Sequence, residues 1–369
     1  MSTNRFPAPS PRPAVADPAL TRPDWVGNSP RDPGRLWLDK NENSDPVLNE
    51  LVRSVIASVG ADAGFSYPDF GPLYRKLGKV VGIDPSHLLL TAGSDGAIRA
   101  VFEAYVQPGD TVLHTVPTFA MYSVYCRIYG ARAVGIAYAA SDNGPDLSAQ
   151  TIIAAIRTEQ PRLVCLPNPD SPTGSVFGQS DIRRIIEAAG DVGALILIDE
   201  AYYPFHADTV LPWVTQYGHL VVCRSTGKAW GMAGVRVGYA AASCPVALLL
   251  HKVRAMYEIG ALSAAVFDRM LDHEPEMRRS VERLQAGKAA FLGAMRTLGL
   301  RTLSGQGNFL HVAFGRHAEA VHAGLSDLVY YRKDFAEPCL AGFSRFSATT
   351  EERFAPVIAR IRAIVGEHG

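Results

Sequence analysis

The stretch ALILIDEAYYPF, residues Ala194–Phe205, is the part of the chain that decides the fold. Five apolar residues, Ala194 to Ile198, run unbroken into Asp199, and Glu200 and two tyrosines follow within four residues. A short continuous run of Leu and Ile reads as a strand buried on both faces, which is how a parallel sheet covered by helices is built. The carboxylate that ends it is held near the interior, where a charge needs a cationic or hydrogen-bonding partner.

Similar runs stand on both sides: HLLLTA (87–92), TVLHTV (111–116), RLVCLPN (162–168), LVVCRS (220–225) and VGYAAA (237–242). Between several of them lie helical stretches, GAIRAVFEAYV, PTFAMYSVYCRIY, SAQTIIAAIRTEQ and SDIRRIIEAAG. The alternation predicts right-handed crossovers and an α/β unit with a mainly parallel sheet flanked by helices. After about residue 245 the texture changes to long helical segments. NFLHVAF, LVYYRK and GFSRFSAT then read as strands, before a closing helix opened by Thr349 and Glu352 at capping-box spacing. The expected organisation is an arm over 1–35, a segment over 36–64 that joins the small domain, a large domain over 65–255 and a small α+β domain over 256–369.

The arm carries eight prolines, Pro7 to Pro33, a density that forbids helix and predicts an extended, partly disordered and flexible arm. Along the whole chain 36 basic and 36 acidic residues cancel, and no run of Lys or Arg occurs, so neither nucleic acid nor an anionic membrane is an expected partner. The five cysteines are scattered and never paired as CxxC, which fits free thiols in a reducing compartment, and no metal site is expected. No apolar run approaches the roughly 20 residues of a membrane helix, and the protein reads as cytoplasmic with a small-molecule partner.

In open parallel sheets ligands collect beyond the carboxyl ends of the strands. There the sequence places TAGSDGA, PNPDSPTG, IDEAYYPF and RSTGK, so a glycine-bounded helix start, a carboxylate, a phenol and a lysine converge on one edge. Ser94 and Asp95 open a helix whose free N–H groups suit a phosphate. Lys228 follows a small polar turn, and Arg236 comes eight residues later. These residue types describe a ligand with a phosphate, a ring nitrogen that must stay protonated and an aldehyde for a lysine, which is pyridoxal 5′-phosphate.

With LDKNEN, SYPDFG, TAGSDGAI, VPTFAMY, PNPDSPTG, DEAYYPF, RSTGKAWGMAGVRVGYA and GFSRFSAT in that order from about residue 36 onward, the chain resembles the fold type I aminotransferases, most closely the histidinol-phosphate aminotransferase branch. The resemblance implies that Lys228 carries the cofactor covalently and then moves the substrate's α-proton. It implies that Asp199 pairs with the ring nitrogen, Tyr202 donates to the ring's phenolic oxygen, and Phe119 stacks on the ring. Ser94, Asp95, Ser225 and Arg236 would hold the phosphate, joined by Tyr67 from the partner subunit of a homodimer. Arg345 would grip the substrate α-carboxylate, Arg332 would lie near its far end, and the substrates would be an amino donor and a 2-oxo acid. A decarboxylase or lyase, and a non-catalytic binding protein, are the alternatives on the same scaffold.

Three positions depart from the family's pattern. Ser171 stands where an asparagine usually shares the phenolic oxygen with the tyrosine, and Gly227 replaces a serine before the lysine. The Asn41-Glu42-Asn43 segment also lacks the longer Gly-Pro loop that shapes the distal substrate pocket. The first two bear on the cofactor's surroundings and the third on substrate choice.

Overall fold

Each of the six apolar runs becomes a strand of one sheet in the computed structural model, which describes residues 9–21, 26–27 and 29–367. In chain order the strands are β1 (Leu88–Thr91), β2 (Thr111–Val116), β3 (Arg132–Ala137), β4 (Leu163–Pro167), β5 (Leu195–Asp199), β6 (Leu220–Ser225) and β7 (Gly238–Ala242). They lie in the order β1-β7-β6-β5-β4-β2-β3. Every pairing is parallel except those of β7, which runs antiparallel to both β1 and β6. The expected α/β class with a mainly parallel sheet is what the chain forms.

The period-2 alternation of strands explains the layering. In β5, Ile196 and Ile198 face a core that includes the helices Ala149–Glu159 and Gln179–Asp191, while Leu195 and Leu197 face the Gly93–Tyr105 and Cys244–Val253 helices. Burying each such side chain contributes about 1.5–3 kcal/mol, so the centre of the sheet is a rigid platform for whatever its strand ends carry. Strand β3 went unread because it is an edge strand with only Ile136 buried.

The C-terminal part builds an antiparallel sheet from Arg301–Leu303, Phe309–Ala313 and Phe343–Ser347, covered by the Glu274–Thr297 and Glu351–Glu367 helices. LVYYRK contributes only Val329–Tyr330, paired in parallel with Leu36–Trp37, and Leu38 is buried in this small core. The next helix along the N-terminal segment, Pro46–Ser58, packs with the Ala261–Met270 helix against the central sheet's core.

Two local expectations need correction. The proline density does not exclude helix, because Pro13–Ala16 forms one turn with Pro13 at its first position, where a missing N–H costs nothing. Residues 1–8, 22–25 and 28 of the arm, with Pro7 and Pro23, lie outside the described residues. The closing helix starts at Glu351, two residues past Thr349, whose hydroxyl instead accepts from Ser44 at 2.8 Å.

Candidate active site

At the carboxyl edge of the sheet lies a cavity of ≈ 190 Å³. Ser94, Asp95, Phe119, Ser171, Asp199, Tyr202, Ser225, Lys228 and Arg236 all line it, together with Pro167, Pro169 and Ala201. Nine residues spread over more than 140 positions thus meet because β1, β2, β4, β5 and β6 end there and the antiparallel β7 starts there.

At one end the Gly93–Tyr105 helix begins, with Gly93 at φ 77°. The first N–H groups of a helix lack intrahelical acceptors and favour an anion. Behind them β7 passes so closely that a Cβ on Gly238 would lie 2.4 Å from the Gly93 carbonyl carbon and 2.6 Å from Ser94 N. Only glycine admits this approach. Arg236, at φ 60°, reaches the same turn, its Nη2 donating to the Ala92 carbonyl at 3.3 Å. Ser225 ends β6 beside it and accepts from the Gly227 N–H at 3.1 Å. A side chain at Gly227 would place its Cβ 3.3 Å from both Ser225 Oγ and Ala233 Cα, so the turn is crowded at this position.

At the floor, Asp199 is buried, and burial raises its carboxyl pKa above the ordinary value. Tyr122 donates to its Oδ2 at 3.0 Å and the Ala201 N–H to its Oδ1 at 2.9 Å. Tyr122 was not anticipated; its phenol reaches Asp199 across 77 positions, a relation that spacing does not encode.

Lys228 Nζ donates to the Lys40 carbonyl at 2.9 Å. Burial, then the nearby positive Arg345, pull its pKa down to about 8, which leaves an appreciable neutral amine fraction near neutrality. Tyr202, also buried, accepts from Asn41 Nδ2 at 2.8 Å and packs edge-on against Phe309. Burial raises the phenol pKa, against the opposing pull of Arg345.

Arg345, on Phe343–Ser347, is 7% exposed. Its Nη2 donates to the Asp39 carbonyl at 2.9 Å and its Nη1 to Ser171 Oγ at 3.4 Å, while its buried Nε has no partner among the described residues. Burial lowers its pKa from the usual arginine value. A desolvated guanidinium that touches Ser171 of the cavity lining has the chemistry to receive a carboxylate.

Two predicted residues stand apart from the cavity. Arg332 is exposed, paired with Glu337 at 3.5 Å and stacked on Phe335, and its backbone bridges to Arg345. Tyr67 is 78% exposed and stacks on Tyr257 at 4.2 Å, outside the cavity lining. Asn41 is the cavity-side residue that sequence reasoning passed over: it belonged to the quoted LDKNEN, but nothing in its spacing connects it with Tyr202.

A family model described as aminotransferase class I and II matches residues 34–361. The chain is 30% identical over 307 residues to a histidinol-phosphate aminotransferase of Thermoanaerobacter sp., with 83% of this chain and 86% of that protein covered. It is 33% identical over 283 residues to histidinol-phosphate aminotransferase 2 of Bordetella bronchiseptica, covering 75% and 76%. Among solved structures, the histidinol-phosphate aminotransferase from Sinorhizobium meliloti in complex with pyridoxal-5′-phosphate superposes with a TM-score of 0.78 over 90% of this chain and 92% of that one. At 21% identity that likeness is one of fold.

Proposed function

Because the chain belongs to the class I and II aminotransferases, we propose that it moves an amino group from an amino acid or amino-alcohol donor to a 2-oxo acid, using pyridoxal 5′-phosphate. The observation that carries the reading is the joint placement of a lysine with a lowered pKa, a buried carboxylate in need of a cation, and an anion-binding helix start around one cavity. Each fits one part of the cofactor. The Gly238 cradle, the Ser94 and Asp95 amides, Ser225 and Arg236 suit the phosphate. Asp199 suits the ring nitrogen, Phe119 a ring face, and Lys228 the aldehyde. When bound, the cofactor supplies an electron sink for the substrate's α-carbon.

The chain's own residues do the rest. Asp199, held by Tyr122 and the Ala201 amide, keeps a negative charge where a protonated ring nitrogen would sit. Lys228 takes and returns a proton at Nζ, for which a pKa of about 8 is well matched. Arg345 orients the substrate by its carboxylate, and that orientation selects which bond at the α-carbon is weakened. We assign Arg332 to the far end of the substrate, from which its pairing with Glu337 would have to yield.

The proposed active unit is a homodimer in the cytoplasm. Exposed Phe65 (81%), Tyr67 (78%) and Met256 (75%) support an interface on that face, and Tyr67 would serve the neighbour's phosphate site. All five cysteines are free, and among the described residues no helix is long and apolar enough to cross a membrane.

The test is a screen of amino donors against purified protein loaded with pyridoxal 5′-phosphate, following the visible absorption band. A competent donor bleaches the band and a 2-oxo acid restores it. In Lys228→Ala the cofactor is no longer fixed to the chain by borohydride, turnover is lost, and thermal stability is retained. A fixed adduct at the wild-type level in that variant overturns the assignment, and release of carbon dioxide in place of reversible bleaching favours a decarboxylase.

A further inference from the structure

Three consecutive residues, Asp39 to Asn41, touch three groups of the proposed site. The Asp39 carbonyl accepts from Arg345, the Lys40 carbonyl from Lys228, and the Asn41 side-chain amide donates to the Tyr202 oxygen at 2.8 Å. The first two contacts are backbone and available to any residue. The third depends on the side chain.

Asn41 is built in at a conformational cost. It is 2% exposed and sits at φ 56°, a left-handed conformation that asparagine tolerates better than most residues. Both of its backbone groups are clamped, the N–H to Ser347 Oγ at 2.8 Å and the carbonyl by Asn308 Nδ2 at 2.9 Å. Ser347 also fixes which way the amide faces. Its oxygen is taken by the Asn41 N–H, so its hydrogen turns to Asn41 Oδ1 at 3.4 Å, which leaves Nδ2 for Tyr202.

A phenol has one hydrogen to give. An amide N–H on its oxygen cannot accept that hydrogen, so the Tyr202 O–H is turned away from Asn41 toward the cavity that Tyr202 lines. Ser171 is treated the same way by Arg345, whose guanidinium also only donates. Tyr202 and Ser171 both line the cavity. A donor on a donor's oxygen polarises the O–H and strengthens what it gives next.

We propose that Asn41 is a positioning residue that fixes Tyr202 as a hydrogen-bond donor toward the cofactor's ring oxygen, so that the N-terminal segment helps set the protonation behaviour of the bound cofactor. The inference rests on the pyridoxal-phosphate reading above and adds to it a residue, a direction of hydrogen bonding and a reason for the clamp around Asn41.

The experiment is a pH titration of the visible band of the loaded protein, which a purely structural role would not move. A weaker donor holds the ring oxygen's negative charge less firmly and raises the midpoint. Asn41→Asp, whose carboxylate takes the phenol's hydrogen, should shift the midpoint up by about one pH unit, tenfold in proton affinity. Asn41→Gly tolerates the positive φ and should shift it the same way by less. Ser347→Ala, which keeps the Asn41 side chain but removes the hydroxyl that orients its amide and holds its N–H, reads the same effect if the first variants fail to fold. In a Tyr202→Phe background, Asn41→Gly should give no further shift. Unmoved midpoints in folded variants, or an equal shift without the phenol, overturn the proposal alone. A wild-type protein with no visible band after loading overturns the cofactor reading and this inference with it.

Discussion

Two aspartates sit at or just past the ends of neighbouring strands and are both buried, yet they are prepared for different tasks. Asp170, three residues past β4, accepts from Thr115 at 2.5 Å, Thr118 at 2.7 Å and Tyr138 at 3.0 Å. Its backbone closes the turn around it, accepting from Gly174 N–H and donating to the Ser175 carbonyl. Asp199, at the end of β5, has one phenol, one amide and the weakly donating Cys223 thiol, and it still lines the cavity. Burial raises both pKa values, that of Asp170 to about 7. Three hydroxyls enclose Asp170 and make it a fastening for the 169–175 turn, on which Ser171 is presented. Asp199 keeps a side on the cavity, where a cationic ligand would pair with it. Burial alone therefore does not identify a functional carboxylate; the open side does.

The sharpest way to break this contrast is to neutralise each carboxylate without changing its shape. Asp199→Asn should lower kcat by roughly a thousandfold, about 4 kcal/mol, because an amide cannot keep a ring nitrogen protonated. Cofactor should still bind through the phosphate cradle. Asp170→Asn should lower kcat less than tenfold, since a carboxyl with a pKa near 7 already spends part of its time neutral. Single-turnover rates with one amino donor decide the matter: equal losses in the two variants would mean that Asp199 acts only as a fastening too.

Truncation should reverse the ranking. Asp170→Ala leaves two buried hydroxyls and the half-buried Thr118 without their acceptor and should destabilise the protein by about 2–3 kcal/mol, at about 1 kcal/mol for each unmet group. Asp199→Ala leaves one phenol, one amide and a weakly donating thiol and removes a carboxylate whose burial was itself costly, so a loss of about 1 kcal/mol is expected. Denaturant melts of the cofactor-free proteins measure both, and a larger loss at Asp199 would contradict the contrast.

What was legible in the sequence follows the same line. Strand β5, Asp199 and Lys228 could be read because an unbroken apolar run states both its burial and where it ends. The cavity lining followed once strand ends were known to share an edge. Edge strand β3 could not be read this way, since only Ile136 of its six residues is buried. Asn41 and Tyr122 were missed for a different reason. Their importance lies in hydrogen bonds spanning 161 and 77 positions, and no local pattern marks a side chain whose partner the tertiary fold supplies. Asp170 was quoted within PNPDSPTG and passed over, because three hydroxyl donors from elsewhere in the chain give it its role.

The smallest expected effect is in the pH dependence of stability, and it concerns Asp170 directly. Its folded pKa of about 7 lies above the ordinary aspartate value of 3.8, so between those limits the folded state binds more protons than the unfolded state. The stability this proton contributes is complete below about pH 4 and is lost as pH rises through about 7. Relative to Asp170→Asn, which has no proton to lose, the wild-type cofactor-free protein should weaken by about 1 kcal/mol per unit between pH 5 and 6.5, and the difference should level off above the folded pKa. Asp199 shifts in the same direction in the cofactor-free protein, but its part should disappear on loading with pyridoxal 5′-phosphate, because a cation beside it favours the charged form. Asp170, out of the cavity, should keep its slope. Paired melts with and without cofactor across this range separate the two carboxylates, and an Asp170 slope that also vanishes on loading would show that the two sites titrate as one.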